Sequence, residues 1–393
     1  MKNKKDLAII GANEFQVPLI LKAKALGYTT HVFAWQCDDW GEFEADYFYP
    51  ISIVEKERIL EVCKKIRPVG VLSIGSDLAS LTVNYVAQEL GLTGNGMDSA
   101  LTATNKHLMR RAFQQAGLPS CRSCLVASAR EAIELGFRFP FIIKPTDRSG
   151  SRGIFLVKDE AELSKAIASA RDHSFEGKVL AEDFIPGKEY SVEYISWQGR
   201  HHFLACTEKA TTGAPMFIES GHLQPPLHLS HSSLEKIQAL VPQMLDCLGV
   251  KNGASHTELK IDSRGDIRLI ECGARMGGDC IGSDLVYISQ GIDFVAACID
   301  VACGREPDLS PKHGKAVAAI RFIFSSEDLE RMEQIRRSSP QSIAHISYIE
   351  AIDGRLVSDS SQRYGFYIMQ APDMEAMQQL LELSKLELKE EDK

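Results

Sequence analysis

Ser255-His256-Thr257-Glu258-Leu259-Lys260-Ile261-Asp262-Ser263-Arg264-Gly265-Asp266-Ile267-Arg268-Leu269-Ile270-Glu271-Cys272-Gly273-Ala274-Arg275-Met276-Gly277-Gly278-Asp279 is the stretch on which the reading of this chain turns. If Arg264-Gly265 is the tip of a two-residue hairpin, partners share a constant sum of residue numbers, and Glu258 falls opposite Glu271 on one face. Like charges directly across a ladder repel, so the arrangement makes sense with a hard cation such as Mg²⁺ between the two carboxylates. An exposed hairpin with two unrelated acids is the alternative, because Arg-Gly is not a favoured tip and a longer turn changes the register.

With 393 residues, 44% hydrophobic and 25% charged, the chain is long enough for two or three packed units. The balance of 44 basic and 53 acidic residues, −9, argues against nucleic acid as the main partner. No window offers the roughly eighteen apolar residues of a membrane span, so no membrane partner is expected. Ten cysteines are scattered singly apart from Cys121 and Cys124, and no charged-then-apolar leader is read before them. Reduced thiols and a cytoplasmic protein are expected, and Cys121 and Cys124, lacking a second pair at metal spacing, read as structural.

Residues 7–11, a helix carrying Val17, Leu21 and Ala25, and a strand at 29–34 form a β-α-β unit. A helix over 59–66, a strand over 69–74 closing on Gly75-Ser76-Asp77 and a helix to Leu90 continue the alternation, which implies a parallel sheet. Residues 1–100 therefore read as a Rossmann-like unit. Its first turn lacks the further glycines of a dinucleotide site, yet Gly11 to Glu14 and Gly75 to Asp77 lie at strand carboxyl ends, where open sheets bind ligands.

Met109, Ala112, Phe113 and Ala116 mark a helix that begins near Thr104 and places Lys106 in its first turn, where the macrodipole disfavours a cation unless an anion lies nearby. A strand over 139–144 runs into a loop, Asp147 to Gly153, whose small residues Ser149, Gly150, Ser151 and Gly153 leave backbone amides for an anion, with Lys144, Arg148 and Arg152 around it. An ordinary hairpin turn is the competing reading. Strands at 179–182 and 189–196 flank an irregular segment bracketed by Glu182 and Glu189, suited to a flat polar ring and ribose hydroxyls or else a solvated bend.

Lys106, then Lys144 with its loop, then Glu182 and Glu189, then Glu258, Glu271 and Arg275 form an ordered set that resembles the ATP-grasp superfamily. Within it the chain is similar to carboxylate-amine ligases such as bacterial L-amino acid ligases and carbamoyl-phosphate synthetase, over roughly residues 5–310. The resemblance implies a mixed α/β and α+β fold: a Rossmann-like domain over 1–100, an ATP-grasp region over 101–310 with a lid at about 120–190, and a C-terminal α+β part over 311–393. It also implies ATP, with Lys106 and Lys144 on the α- and β-phosphates and the loop closing over the γ-phosphate. Glu182 with the backbone of Asp183 and Ile185 would meet adenine, and Glu189 the ribose. Glu258 and Glu271 would hold Mg²⁺, with Mn²⁺ as a substitute, and Arg275 would face the γ-phosphate or the acyl phosphate. One position departs from the pattern, because Gly273 stands where the family usually carries a metal-ligating asparagine, which puts the second metal site in doubt.

The chemistry implied is attack of a carboxylate on ATP to give an acyl phosphate, then attack of an amine to give an amide, with small-molecule substrates as partners. Backbone amides at Gly277 and Gly278 are expected to serve the oxyanion. His256, on the face of Glu258 in a strand, is expected to reach the phosphates. The stretch 216–226 resembles the segment bordering the amino-acid pocket, with Glu219 for an ammonium and His222 for a carboxylate or a proton relay, or else a loop of satisfied polar groups. Transfer of the activated carboxylate to a carrier thiol or ammonia, and nucleotide binding without turnover, are the alternatives. A homodimer fits the resemblance. In the last part, strands over 316–324 and 364–370, a hairpin at Asp353-Gly354 between 346–352 and 355–357, a helix from Asp373 and a solvated end from Lys385 are expected.

Overall fold

The computed structural model describes residues 5–36, 38–213 and 217–388. Met216, the first residue of the segment read as a pocket border, therefore lies outside the described residues.

A four-stranded parallel sheet opens the chain, in the order Tyr47–Pro50, Thr29–Ala34, Asp6–Ile10, Val71–Leu72. Its inner strand is an apolar run buried from Leu7 to Ile10 without alternation, as in other parallel sheets, whereas the edge strand Tyr47–Pro50 leaves Tyr47 exposed. Ser76 caps the helix Asp77–Leu90 by accepting from Ala79, and Gly91 ends it with a left-handed φ of +66°. Leu7, Ile9 and Val32 pack with Phe294 and Ile299 of the helix Phe294–Ala302, so the sheet is joined to the remainder through a continuous apolar core.

A second sheet is small and antiparallel, ordered Ser123–Leu125, Val179–Asp183, Phe141–Pro145, Phe155–Val157. The helix Glu160–His173 covers it through Leu163, Ile167 and Ala170.

The third sheet has eight antiparallel strands in the order Ile267–Gly273, Gly253–Ile261, Lys188–Trp197, Arg200–Thr211, Glu219–Gln224, Val317–Ile323, Gly365–Ala371, Ile343–Ile346. The C-terminal strands thus continue the sheet that carries the glutamate hairpin, through pairing of Glu219–Gln224 with Val317–Ile323.

Glu258 does pair with Glu271, but by a different route from a two-residue tip. Near the turn Leu259 faces Leu269 and Ile261 faces Ile267, one residue off the register of Glu258 with Glu271, and a bulge between these pairs restores it. The tip is longer: Asp262 and Asp266 face each other through a backbone hydrogen bond, and Gly265 takes φ +82°.

Two C-terminal readings need correction. Residues 355–357 form no strand; the extended segment after Ile346 instead hydrogen-bonds to the 364–366 region, with Ser347 donating to Phe366 and Glu350 to Tyr364. The end from Lys385 is not wholly solvated, since Leu386 is buried among the C-terminal core residues. Among the described residues no single helix is long and apolar enough to cross a membrane, and the described cysteines, Cys121 and Cys124 included, are free thiols.

Candidate active site

The two glutamates of the hairpin line one cavity at the meeting of the large and small sheets, together with Lys106, Lys144, Glu182, Glu189, Ser149, Gly150 and Ser151. Lys106 is the first residue of the helix Lys106–Gln115, capped by Asn105, whose side chain accepts from His107 and Leu108. Its ammonium lies 2.9 Å from Glu271 and donates to the Arg148 carbonyl of the glycine loop at 2.8 Å. Burial lowers the pKa of Lys106, but the Glu271 carboxylate more than reverses this and holds the lysine charged.

Glu258 has its own counter-ion, one that sequence reasoning missed. Lys209, from the strand Arg200–Thr211, places its ammonium 2.8 Å from Glu258, 2.6 Å from Glu189 and 3.8 Å from Glu219. Lys209 is buried, yet the three carboxylates raise its pKa well above the ordinary value. Alternation along 200–211 was the available signal, since it puts Lys209 on the face that looks across to Glu258.

Glu182 departs from its expected role. Arg110 grips it through two hydrogen bonds of 2.8 and 3.1 Å, and Lys144 approaches to 2.5 Å, so both carboxylate oxygens serve cations rather than an adenine ring. Burial would raise the Glu182 pKa, but Arg110 and Lys144 hold it far below the usual carboxylate range. Glu182 therefore fixes the Lys144 ammonium. Asp183, Phe184 and Ile185 all line the cavity, although the Asp183 amide is spent on the Arg122 carbonyl at 3.1 Å. Gly153 is absent from the lining; it takes φ +73°, and a Cβ there would crowd His173 and Pro145.

A second, polar cavity of about 170 Å³ adjoins the first and shares Ser149, Gly150, Lys209, Glu219, Glu258 and Glu271 with it. Here lie His222, His256, Arg275, Gly278 and Asp279, with Ser360 from the C-terminal part closing one side. Glu219 is held up in pKa by burial, and its Oε2 has no hydrogen-bond partner. His222 is buried, its pKa lowered by burial, with Nε2 3.5 Å from Asp279. Arg363 in turn pairs with Asp279 at 3.0 and 2.7 Å.

Arg275 is held by Asp77 through bonds of 2.8 and 3.0 Å, which ties the hairpin's outer strand to the first sheet's carboxyl end. This pair explains Gly273: a Cβ there would sit 2.6 Å from Asp77 Oδ1 and 3.0 Å from Arg275 Nε. The space of an asparagine side chain is filled by the ion pair.

The oxyanion expectation fails for Gly277 and stands open for Gly278. The Gly277 amide donates to Glu193 at 2.9 Å, and Glu193 also holds His256 Nδ1. Any Cβ at Gly277 would strike these two side chains. The Gly278 amide makes no hydrogen bond among the described residues and lines the cavity. His256 Nε2 lies 3.4 Å from Glu258.

No group of three or more His, Cys, Asp and Glu among the described residues forms a metal cage. Two hard carboxylates, Glu258 and Glu271, facing one cavity nevertheless suit Mg²⁺, which keeps waters and phosphate oxygens as its other ligands.

Residues 137–284 match the ATP-grasp domain family. Alanine–anticapsin ligase of Bacillus subtilis is 29% identical over 309 residues, 69% of this chain and 64% of that one. Dapdiamide A synthase of Enterobacter agglomerans is 27% identical over 354 residues, 83% and 81% of the two chains. The chain thus spans under two thirds of the alanine–anticapsin ligase that it matches. An L-amino acid ligase structure from Bacillus licheniformis superposes with a TM-score of 0.81 at 23% identity, covering 98% of each chain. The fold is thus that of this ligase structure, and residues 137–284 are the part that matches the ATP-grasp domain.

Proposed function

We propose that this protein is an ATP-dependent carbon–nitrogen ligase that activates a carboxylate, an amino acid in the first instance, as an acyl phosphate and joins it to an amine, releasing ADP and phosphate. The observation that carries this reading is the juxtaposition of two cavities: one lined by Lys106, Lys144 and the glycine loop, the other by Glu219, His222 and Arg275, with Glu258 and Glu271 on the wall between them. The similarity to an alanine–anticapsin ligase and a dapdiamide A synthase supports it.

In this reading Lys106 and Lys144 orient the phosphates of ATP, and Ser149, Gly150 and Ser151 cover the γ-phosphate with backbone donors. Glu189 faces the ribose, and Ile185 borders the adenine. Glu258 and Glu271 hold Mg²⁺, which when bound neutralises phosphate charge and polarises the γ-phosphoryl group. The substrate carboxylate attacks the γ-phosphorus, and ADP leaves. Arg275, kept in place by Asp77, neutralises charge on the transferred phosphoryl group, while the Gly278 amide meets the oxyanion as the amine displaces phosphate. Glu219 pairs with the substrate ammonium. We infer the chain's division as a Rossmann-like part over 1–100, an ATP-grasp part over 101–310 and a C-terminal part over 311–393 that lends Ser360 to the pocket wall.

The test is phosphate release from Mg·ATP across a matrix of single amino acids and pairs, with mass spectrometry of positive wells. Phosphate appearing with one pair, beside a product lighter than their sum by one water, is expected. Phosphate with a single carboxylate and no condensed product would instead indicate a carrier or ammonia as acceptor, and ATP binding without phosphate release in any well would count against turnover.

A further inference from the structure

A third cavity, of about 280 Å³, lies between the carboxyl end of the first sheet and the glycine loop. It shares Gly75, Asp77, Ser149 and Glu271 with the polar cavity, so the two meet beside the reacting centre. At about 30 Å³ per water it has the room of roughly nine waters, enough for an amino acid.

Three acids and three bases line it, Asp77, Asp147 and Glu271 against Lys106, Arg148 and Arg152, but they are not all paired with one another. Of its acids, Asp77 is held by Arg275, Glu271 by Lys106, and Asp147 accepts from the Ser174 hydroxyl and the amides of Phe175 and Glu176. Lys106 is matched by Glu271. That leaves Arg148 and Arg152, and neither has a carboxylate partner among the described residues. Arg148 lies over the Phe175 ring at 4.4 Å, with its Nε buried and without a hydrogen bond. Arg152 makes no ion pair or hydrogen bond among the described residues. Against these two guanidiniums stands only the Asp147 carboxylate, held by neutral donors, so one positive charge is in surplus and both forks are free for a planar anion, since a guanidinium fork matches a carboxylate through two parallel hydrogen bonds.

We infer that this cavity receives the second, amine-bearing substrate and that Arg148 and Arg152 bind its carboxylate, so that the acceptor is an amino acid rather than a simple amine. The inference rests on the ligase reading above. A phosphate of the nucleotide offers the same anionic chemistry to the same arginines, and the two sources separate by experiment.

Binding is measured by calorimetry on the full chain loaded with Mg²⁺ and a non-hydrolysable ATP analogue, using each of the common amino acids and its carboxamide as probes. The proteins are wild type, Arg152→Gln and Arg152→Lys. Arg152 has no partner to lose, so the variants are expected to match the wild type in thermal unfolding. At least one amino acid is expected to bind, with Arg152→Gln weakening it about 10- to 100-fold and Arg152→Lys restoring part of the loss. The carboxamide should bind wild type and variant alike, and the analogue's own affinity should stay within about twofold, less than the loss of one charged hydrogen bond. Weakened analogue binding would hand the arginines to the nucleotide and overturn the inference. So would equal weakening of acid and amide, or no binding of any amino acid. Failure of the ligase reading looks different: the carboxylate-dependent binding persists, and no phosphate is released on turnover with true ATP.

Discussion

The Lys209 ammonium lies 2.8 Å from the Glu258 carboxylate, buried in the wall between the cavity of Lys106 and Lys144 and the polar cavity. Together with Glu189 and Glu219 it makes a lysine among three acids, so removing it leaves carboxylates facing one another. Lys209→Met is expected to cost about 3–5 kcal/mol, the usual penalty for breaking a buried pair from one side. Saturating Mg²⁺ should return part of that loss, because a cation can take over the neutralisation of Glu258. Urea unfolding with Mg²⁺ and with a chelator measures both; equal destabilisation in the two would detach Glu258 from the metal.

Glu271 makes the complementary case. Glu271→Ala should keep the far-ultraviolet dichroism of the wild type and lose Mg²⁺-dependent ADP formation by about a thousandfold or more, as expected when several kcal/mol of metal-borne charge stabilisation vanish. Retained turnover would sink the metal assignment.

The pair of His256 with Glu193 gives a pH signature. Burial lowers the His256 pKa, but Glu193 dominates and raises it to about 9. A histidine raised in the folded state contributes stability that is complete below its unfolded pKa of about 6.5 and lost as pH rises through the folded value. The wild type should therefore exceed Glu193→Gln in unfolding free energy by on the order of 3 kcal/mol at most near pH 6. The gap should close on the way to pH 9 and beyond. A gap that stays constant over that range would mean the two side chains are coupled by packing alone.

Gly273→Asn tests whether the missing ligand can be put back. The added side chain collides with Asp77 and Arg275, so the variant should lose phosphate release rather than gain metal affinity. Asp77→Ala/Gly273→Asn, which opens the space, separates collision from chemistry: if it binds Mg²⁺ more tightly than Asp77→Ala alone, crowding was the only obstacle.

Much of the fold was legible where periodicity is strong and local. The apolar runs at 7–11 and 29–34 became the first parallel strands, and the Met109–Phe113 stripe became a helix face, because helix and strand periods survive any tertiary setting. The glutamate register came through although the turn was misjudged, as tip length and bulge compensate. What could not be read were partners distant in sequence. Arg110 lies 72 residues from Glu182, and Asp77 lies 198 from Arg275, and nothing in local spacing marks an acid as already spoken for. The same blindness gave Gly277 an oxyanion role: a glycine amide looks free in sequence and is free in space only if no carboxylate such as Glu193 has claimed it.

The run of pairing from Glu219–Gln224 into Val317–Ile323 has a consequence for anyone trimming the protein. Sequence similarity to the ATP-grasp domain stops at residue 284, which invites a cut soon after it. Such a cut would strip the neighbour from the strand that bears Glu219 and His222, turning it into a bare edge with unpaired amides and carbonyls beside the pocket. The shortest form that keeps this strand paired is therefore longer than the recognisable domain, and shortened versions should be judged first by aggregation.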